Sequence, residues 1–108
     1  MLQVLVAEPD ETSFQRLRSY LAPEAFQLNR AVNLAECFSG AKAFQADVVL
    51  IASDFPEGGA QVLLRRLFAE ALEVPVVVLG NPGQEEDCRR LVLDGAADYV
   101  IRELQETQ

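Results

Sequence analysis

At 108 residues, 50% hydrophobic and 24% charged, the chain has the size and balance of one globular domain with a single core. Nine basic and seventeen acidic side chains give a formal net charge of -8, which repels phosphate backbones and anionic lipid and so argues against nucleic-acid or membrane partners. There is no histidine, which removes imidazole bases, Ser-His and Cys-His nucleophile pairs and histidine metal ligands together; a catalyst is not the first expectation.

The longest apolar runs, such as Val74 to Leu79, are too short to span a bilayer, and the start MLQVLVAEPD lacks the basic and apolar regions of a signal peptide. Cys37 and Cys88 lie far apart in helical patterns, so two buried free thiols in a reducing cytoplasm are expected, with neither a disulfide nor a metal.

In chain order, Leu2 to Ala7 reads as a first strand. Asp10 caps a helix with Phe14, Leu17 and Leu21 on one face, and Pro23 ends it. Phe26 to Val32 is a weaker strand, interrupted by Asn29 and Arg30, which suits a sheet edge. Asn33-Leu-Ala-Glu36 has the form of a capping box, and Leu34, Phe38 and Ala41 form the apolar stripe behind it. Val48 to Ile51 is all apolar, as a central strand buried on both faces must be.

Ser53 to Gly59, with Pro56, Gly58 and Gly59, reads as a loop whose glycines are turn devices, since no Walker or dinucleotide pattern surrounds them. A helix follows with Leu63, Leu64, Leu67, Phe68 and Ala71 toward the core. Pro75 to Leu79 is a second central strand, closed by the turn Gly80-Asn-Pro-Gly83. The next helix, about Glu85 to Leu93, turns Leu91 and Val92 inward, sets Glu85, Glu86 and Asp87 at its positive end, and stops at Gly95. Tyr99 to Ile101 is the last strand.

Strict alternation of strands and helices predicts an α/β fold, a doubly wound parallel sheet with helices on both faces. After Ile101 only Arg102 to Gln108 remain, too few for a full fifth helix, so the last helix is short or missing. The first helix would then be the main cover of one sheet face, and the apolar strip left bare would be an interface for a second copy or another protein, or the sequence would be the front of something longer. Ligands of such sheets sit beyond the carboxyl ends of the strands, here Glu8 to Asp10, Ala52 to Pro56, Gly80-Asn81 and Arg102-Glu103.

The segments VLVAEPD (Val4 to Asp10), DVVLIASDFPEGG (Asp47 to Gly59), VPVVVLGN (Val74 to Asn81) and GAADYVIRE (Gly95 to Glu103) together resemble the signature blocks of response-regulator receiver domains. The resemblance implies a flavodoxin-like sheet in the order 2-1-3-4-5. It also implies a site where an aspartate ending the third strand accepts a phosphoryl group, helped by an acidic pair that holds Mg²⁺, by a Thr or Ser and by a Lys. This chain departs from that pattern at each position. Ala52 stands at the acceptor, and the acidic pair is reduced to Glu8 followed by Pro9. Gly80 stands at the hydroxyl position, Arg102 at the lysine and Glu103 at the proline after it.

The resemblance thus implies a pseudo-receiver, a phosphorylation-independent protein-interaction module of two-component signalling without a cofactor. Asp54 is the alternative acceptor, although two residues past Ala52 its carboxylate should point elsewhere; Asp10 could also reach the pocket but has a cap to make. A small-ligand sensor at the same crevice, with Glu8 and Arg102 as polar handles, is a third reading, and a simple Glu8–Arg102 ion pair is the plain one. By resemblance the contact surface is the fourth helix and fifth strand, with Arg89, Arg90, Asp94 and Tyr99 exposed. Tyr99 matches the aromatic that changes rotamer in switching receivers, but a half-buried strand tyrosine is the simpler expectation without a hydroxyl at position 80.

Overall fold

The computed structural model describes residues 1–21, 23–43 and 45–102. Five strands, β1 (Leu2–Ala7), β2 (Phe26–Ala31), β3 (Val48–Ala52), β4 (Val76–Gly80) and β5 (Asp98–Ile101), alternate with α1 (Glu11–Tyr20), α2 (Leu34–Ala43), α3 (Gly59–Ala69) and α4 (Glu85–Leu93). All neighbouring strands are parallel, in the order β2-β1-β3-β4-β5. The expected architecture is therefore present, with β2 on an edge. The short tail expected in place of a fifth helix, Glu103 to Gln108, lies outside the described residues.

The parallel register divides the strand side chains between two faces. Leu5, Ala7, Val49, Ile51, Val76 and Val78 form the larger core with Cys37, Phe38 and Ala41 of α2, Ala60, Leu63, Leu64 and Leu67 of α3, and Cys88 and Leu91 of α4. On the opposite face Val4, Val6 and Phe14 of α1 are the fully buried set, with Leu17, Phe26, Leu28, Val48 and Leu50 packed around them. The asymmetry shows in the two central strands. Val49, Ile51 and Val78 are 0% exposed, whereas Val48, Leu50 and Val77 on the other face are only half-buried and Val100 is 51% exposed.

Local chemistry sets the helix ends. Asp10 caps α1 by accepting the Ser13 N–H at 2.8 Å. Asn33 accepts the Glu36 N–H at 2.8 Å, while the Glu36 carboxylate reaches back to the Val32 N–H at 2.9 Å, one residue earlier than in a standard box. Gly95, at φ +123, closes α4. Within Ser53 to Gly59 the chain makes a short 3-10 turn over Pro56–Gly58, with Glu57 and Gly58 both at φ 65.

Four expectations need correction. Phe68 does not face the core but is 88% exposed. The buried stripe of α3 centres on Ala60, Leu63, Leu64 and Leu67, and at 100° per residue Phe68 falls about 90° from that centre. Ala71 lies past the helix end at φ 57 and is exposed. β2 stops at Ala31, leaving Val32 40% exposed, and β4 starts at Val76, one residue after Pro75.

Candidate functional site

The carboxyl ends of β1, β3, β4 and β5 bring together Glu8 to Asp10, Ala52 to Asp54, Gly80-Asn81 and Arg102. Ala52, the last residue of β3, is 7% exposed and pairs with Leu79. Its methyl group offers neither a nucleophile nor a ligand.

The β1–α1 loop is held from the neighbouring edge strand. Arg30 donates from Nε to the Glu8 carbonyl at 2.9 Å and from Nη2 to the Pro9 carbonyl at 2.7 Å. Its Nη1 pairs with Glu11 at 2.5 Å, and its guanidinium lies 5.7 Å from the Phe14 ring centroid. The polar residue that weakens β2 as a strand is the clamp that shapes the site's first loop.

The acids of that loop are committed locally. Glu8 accepts the Asp10 N–H at 3.1 Å through one oxygen, and its other oxygen lies 3.9 Å from Arg102 Nη1. The expected Glu8–Arg102 pair thus forms at the outer limit of an ion pair. Asp10 is turned to its cap, and the Ser13 backbone N–H is the main reason its carboxyl is held below the usual carboxylate range. Arg102 is anchored through its backbone N–H to the Gly80 carbonyl at 2.7 Å, and its buried Nε has no partner among the described residues. These residues do not fit Mg²⁺, which needs several converging hard oxygens. Ala52 and Pro9 supply no side-chain oxygen, Glu8 faces a cation, and no cluster of three Cys, Asp or Glu side chains suited to a metal occurs among the described residues.

At β4 the space beside Gly80 is filled. A Cβ there would lie 2.5 Å from Cys88 Sγ and 3.0 Å from Ile101 Cδ1. A hydroxyl-bearing residue cannot be accommodated without moving both. Above this contact, Gln84 Oε1 accepts the Ser53 hydroxyl at 2.8 Å and the Asn81 backbone N–H at 2.7 Å, and Gln84 Nε2 approaches Asp54 at 3.4 Å. Asp54 is exposed and turned toward Gln84.

Both thiols are free and buried. Burial pushes Cys37 up to about 11. It also raises Cys88, partly countered by a hydrogen bond with Ser53.

Of the residues expected on the contact surface, Arg89, Arg90 and Asp94 are exposed. Arg89 pairs with Glu86 at 2.6 Å, Arg90 lies 3.8 Å from Asp87, and Asp94 accepts from Gln61 at 3.2 Å. The hydrogen bond from Arg89 is the main reason Glu86 is held below the usual carboxylate range. Tyr99 is half-buried and packs against the larger core, so it is not an exposed member of that surface, as the simpler expectation had it.

Sequence reasoning missed Gln84, Ser53 and the clamp made by Arg30. The available signal was a charged residue inside an edge strand whose parallel register sets it opposite Val6, two residues before Glu8.

No protein-family model and no curated protein matches the sequence. Solved structures do match the fold. The Francisella response regulator 1452 receiver domain aligns with a TM-score of 0.81 at 22% identity, over 94% of this chain and 84% of that one. A response regulator receiver domain protein from Clostridium thermocellum gives 0.81 at 18% identity, over 94% and 82%. FixJ-N gives 0.84 at 18% identity, over 99% and 86%. The chain has the fold of these receiver domains.

Proposed function

We propose that this chain is a receiver-like domain of two-component signalling that works by protein contact, without taking up a phosphoryl group. The observation that carries the reading is Ala52 at the end of β3, where the receiver resemblance calls for the acceptor aspartate. The surroundings agree with it: Glu8 is engaged by the Asp10 amide and Arg102, Asp10 by its cap, and the space beside Gly80 by Cys88. Three parts of one phosphoryl-transfer device are altered together, which is what a disused device looks like. On this reading the chain is a cytoplasmic binding module rather than an enzyme, and its partners are signalling proteins.

The contact surface is α4 with β5, where Arg89, Arg90 and Asp94 project and Tyr99 supports them from the core. Arg90→Ala with Tyr99→Phe, which keeps the ring packed on the core and removes the hydroxyl, is expected to weaken partner capture while leaving the fold intact. Among the described residues this sheet face is incompletely covered, with Val48, Leu50 and Val77 half-buried and Val100 exposed, and it is the seat proposed for a second copy, since an apolar strip can be self-complementary about a two-fold axis. Light scattering is expected to find a dimer that Val100→Asp dissociates; a monomer at all concentrations would remove this face as a self-association surface.

Incubation with Mg²⁺ and a small phosphodonor, followed by intact mass, tests the central reading. No stoichiometric gain is expected. A gain that disappears in Asp54→Ala would establish a displaced acceptor and overturn it.

A further inference from the structure

We infer that Gln84 is a latch that ties the β4–α4 turn to the end of β3 and so holds α4 in one position on the sheet. The side chain spans two loops: its Oε1 takes the Ser53 hydroxyl from one side and the Asn81 N–H from the other, at 2.8 and 2.7 Å. Its backbone is committed as well, donating to the Asn81 carbonyl at 2.9 Å and accepting the Cys88 N–H at 3.0 Å as the first bond of α4. One residue therefore closes the turn, starts the helix and reaches across to β3.

α4 has particular need of such a tie. Its nine residues bury only Cys88 and Leu91 fully, whereas α3 buries five. A short helix with few buried side chains belongs to the part of a domain that opens locally. Cys88 sits directly under the latch, its sulfur against Gly80 and its thiol within reach of Ser53. Opening of the turn would uncover it.

The inference rests on the reading above only in making α4 part of the contact surface; a latched α4 would present Arg89 and Arg90 in a constant arrangement. Its test requires neither phosphodonor nor partner, so failure of one is distinguishable from failure of the other. The full chain is labelled with iodoacetamide under native conditions, and the two cysteines are followed separately by peptide mass. Cys37, 0% exposed in the α2 core, reports global opening. In Gln84→Ala, Cys88 is expected to label about tenfold faster with Cys37 unchanged, the effect of losing one or two neutral hydrogen bonds. Gln84→Met, which keeps the length of the side chain but neither its accepting oxygen nor its approach to Asp54, is expected to label Cys88 as fast as Gln84→Ala. Should Gln84→Ala fail to fold, Ser53→Ala removes one of the two bonds and should give a few-fold rise at Cys88 alone. Rates that stay unchanged, or that rise equally at both cysteines, overturn the latch, as does Gln84→Met labelling as slowly as the unaltered chain.

Discussion

Replacing Arg30 with alanine removes four contacts at once, and the structure sets the size of the loss. The two hydrogen bonds to the Glu8 and Pro9 carbonyls are charge-assisted and short, at 2.9 and 2.7 Å. Bonds of this class are worth about 1.5–3 kcal/mol each when buried, less here because the freed carbonyls can recover water. The pair with Glu11, whose side chain is 65% exposed, adds ~0.5 kcal/mol, and the approach to Phe14 a similar amount. Because all four share one side chain they do not add fully, so the expected cost is ~2 kcal/mol. For a chain of this length that is roughly a 10 °C fall in Tm, measurable by thermal and urea denaturation. Arg30→Lys should recover less than half, since an ammonium cannot serve both carbonyls in the plane of a fork. A cost below ~0.5 kcal/mol for Arg30→Ala, or full recovery by lysine, would refute the clamp.

Other substitutions probe the remaining parts. Gly80→Thr should destabilise by ~2 kcal/mol, because its Cβ meets Cys88 Sγ at 2.5 Å, and Cys88→Ala should relieve part of that cost in a double-mutant cycle. Asp10 has its folded-state pKa depressed, chiefly by the Ser13 N–H, so its contribution is full above the unfolded value near 3.8 and is lost as pH falls through the folded one. Asp10→Asn should therefore lose stability at neutral pH and show a flatter acid limb in urea titrations below about pH 4. Phe68→Gln should change stability by less than ~0.5 kcal/mol, whereas Leu67→Ala beside it should cost ~2–4 kcal/mol, since Phe68 is 88% exposed and Leu67 only 4%.

Element type and order were legible in the sequence because the signals are local. The run Val48 to Ile51 reads as a central strand from its unbroken apolar character, although its Val48 and Leu50 face is only half-buried, and Asp10, Asn33 and Gly95 mark helix ends by their own chemistry. Phe68 misled because hydrophobicity was read as burial; whether a flanking position of α3 is covered depends on how far the sheet extends beneath it. The identities at the candidate site, Ala52, Gly80 and Arg102, were equally legible once the strand ends were placed. What fills the site was not. The Gln84 bonds to Ser53 and Asn81 join residues up to 31 positions apart, and no periodicity encodes which side chain turns into a crevice. Arg30 was visible only as a blemish in a strand, because its clamp depends on the register of β2 against β1.

The most direct test of the account compares amide spectra of the labelled chain in Mg²⁺ alone and in Mg²⁺ with beryllofluoride, an aspartyl-phosphate mimic, at matched ionic strength. The account predicts unchanged resonances from Asn81 through Ile101, since Ala52 offers no carboxylate to hold the mimic and the start of α4 is tied to β3. Saturable shifts across α4 and β5 would contradict it and return the chain to the phosphoryl-responsive class.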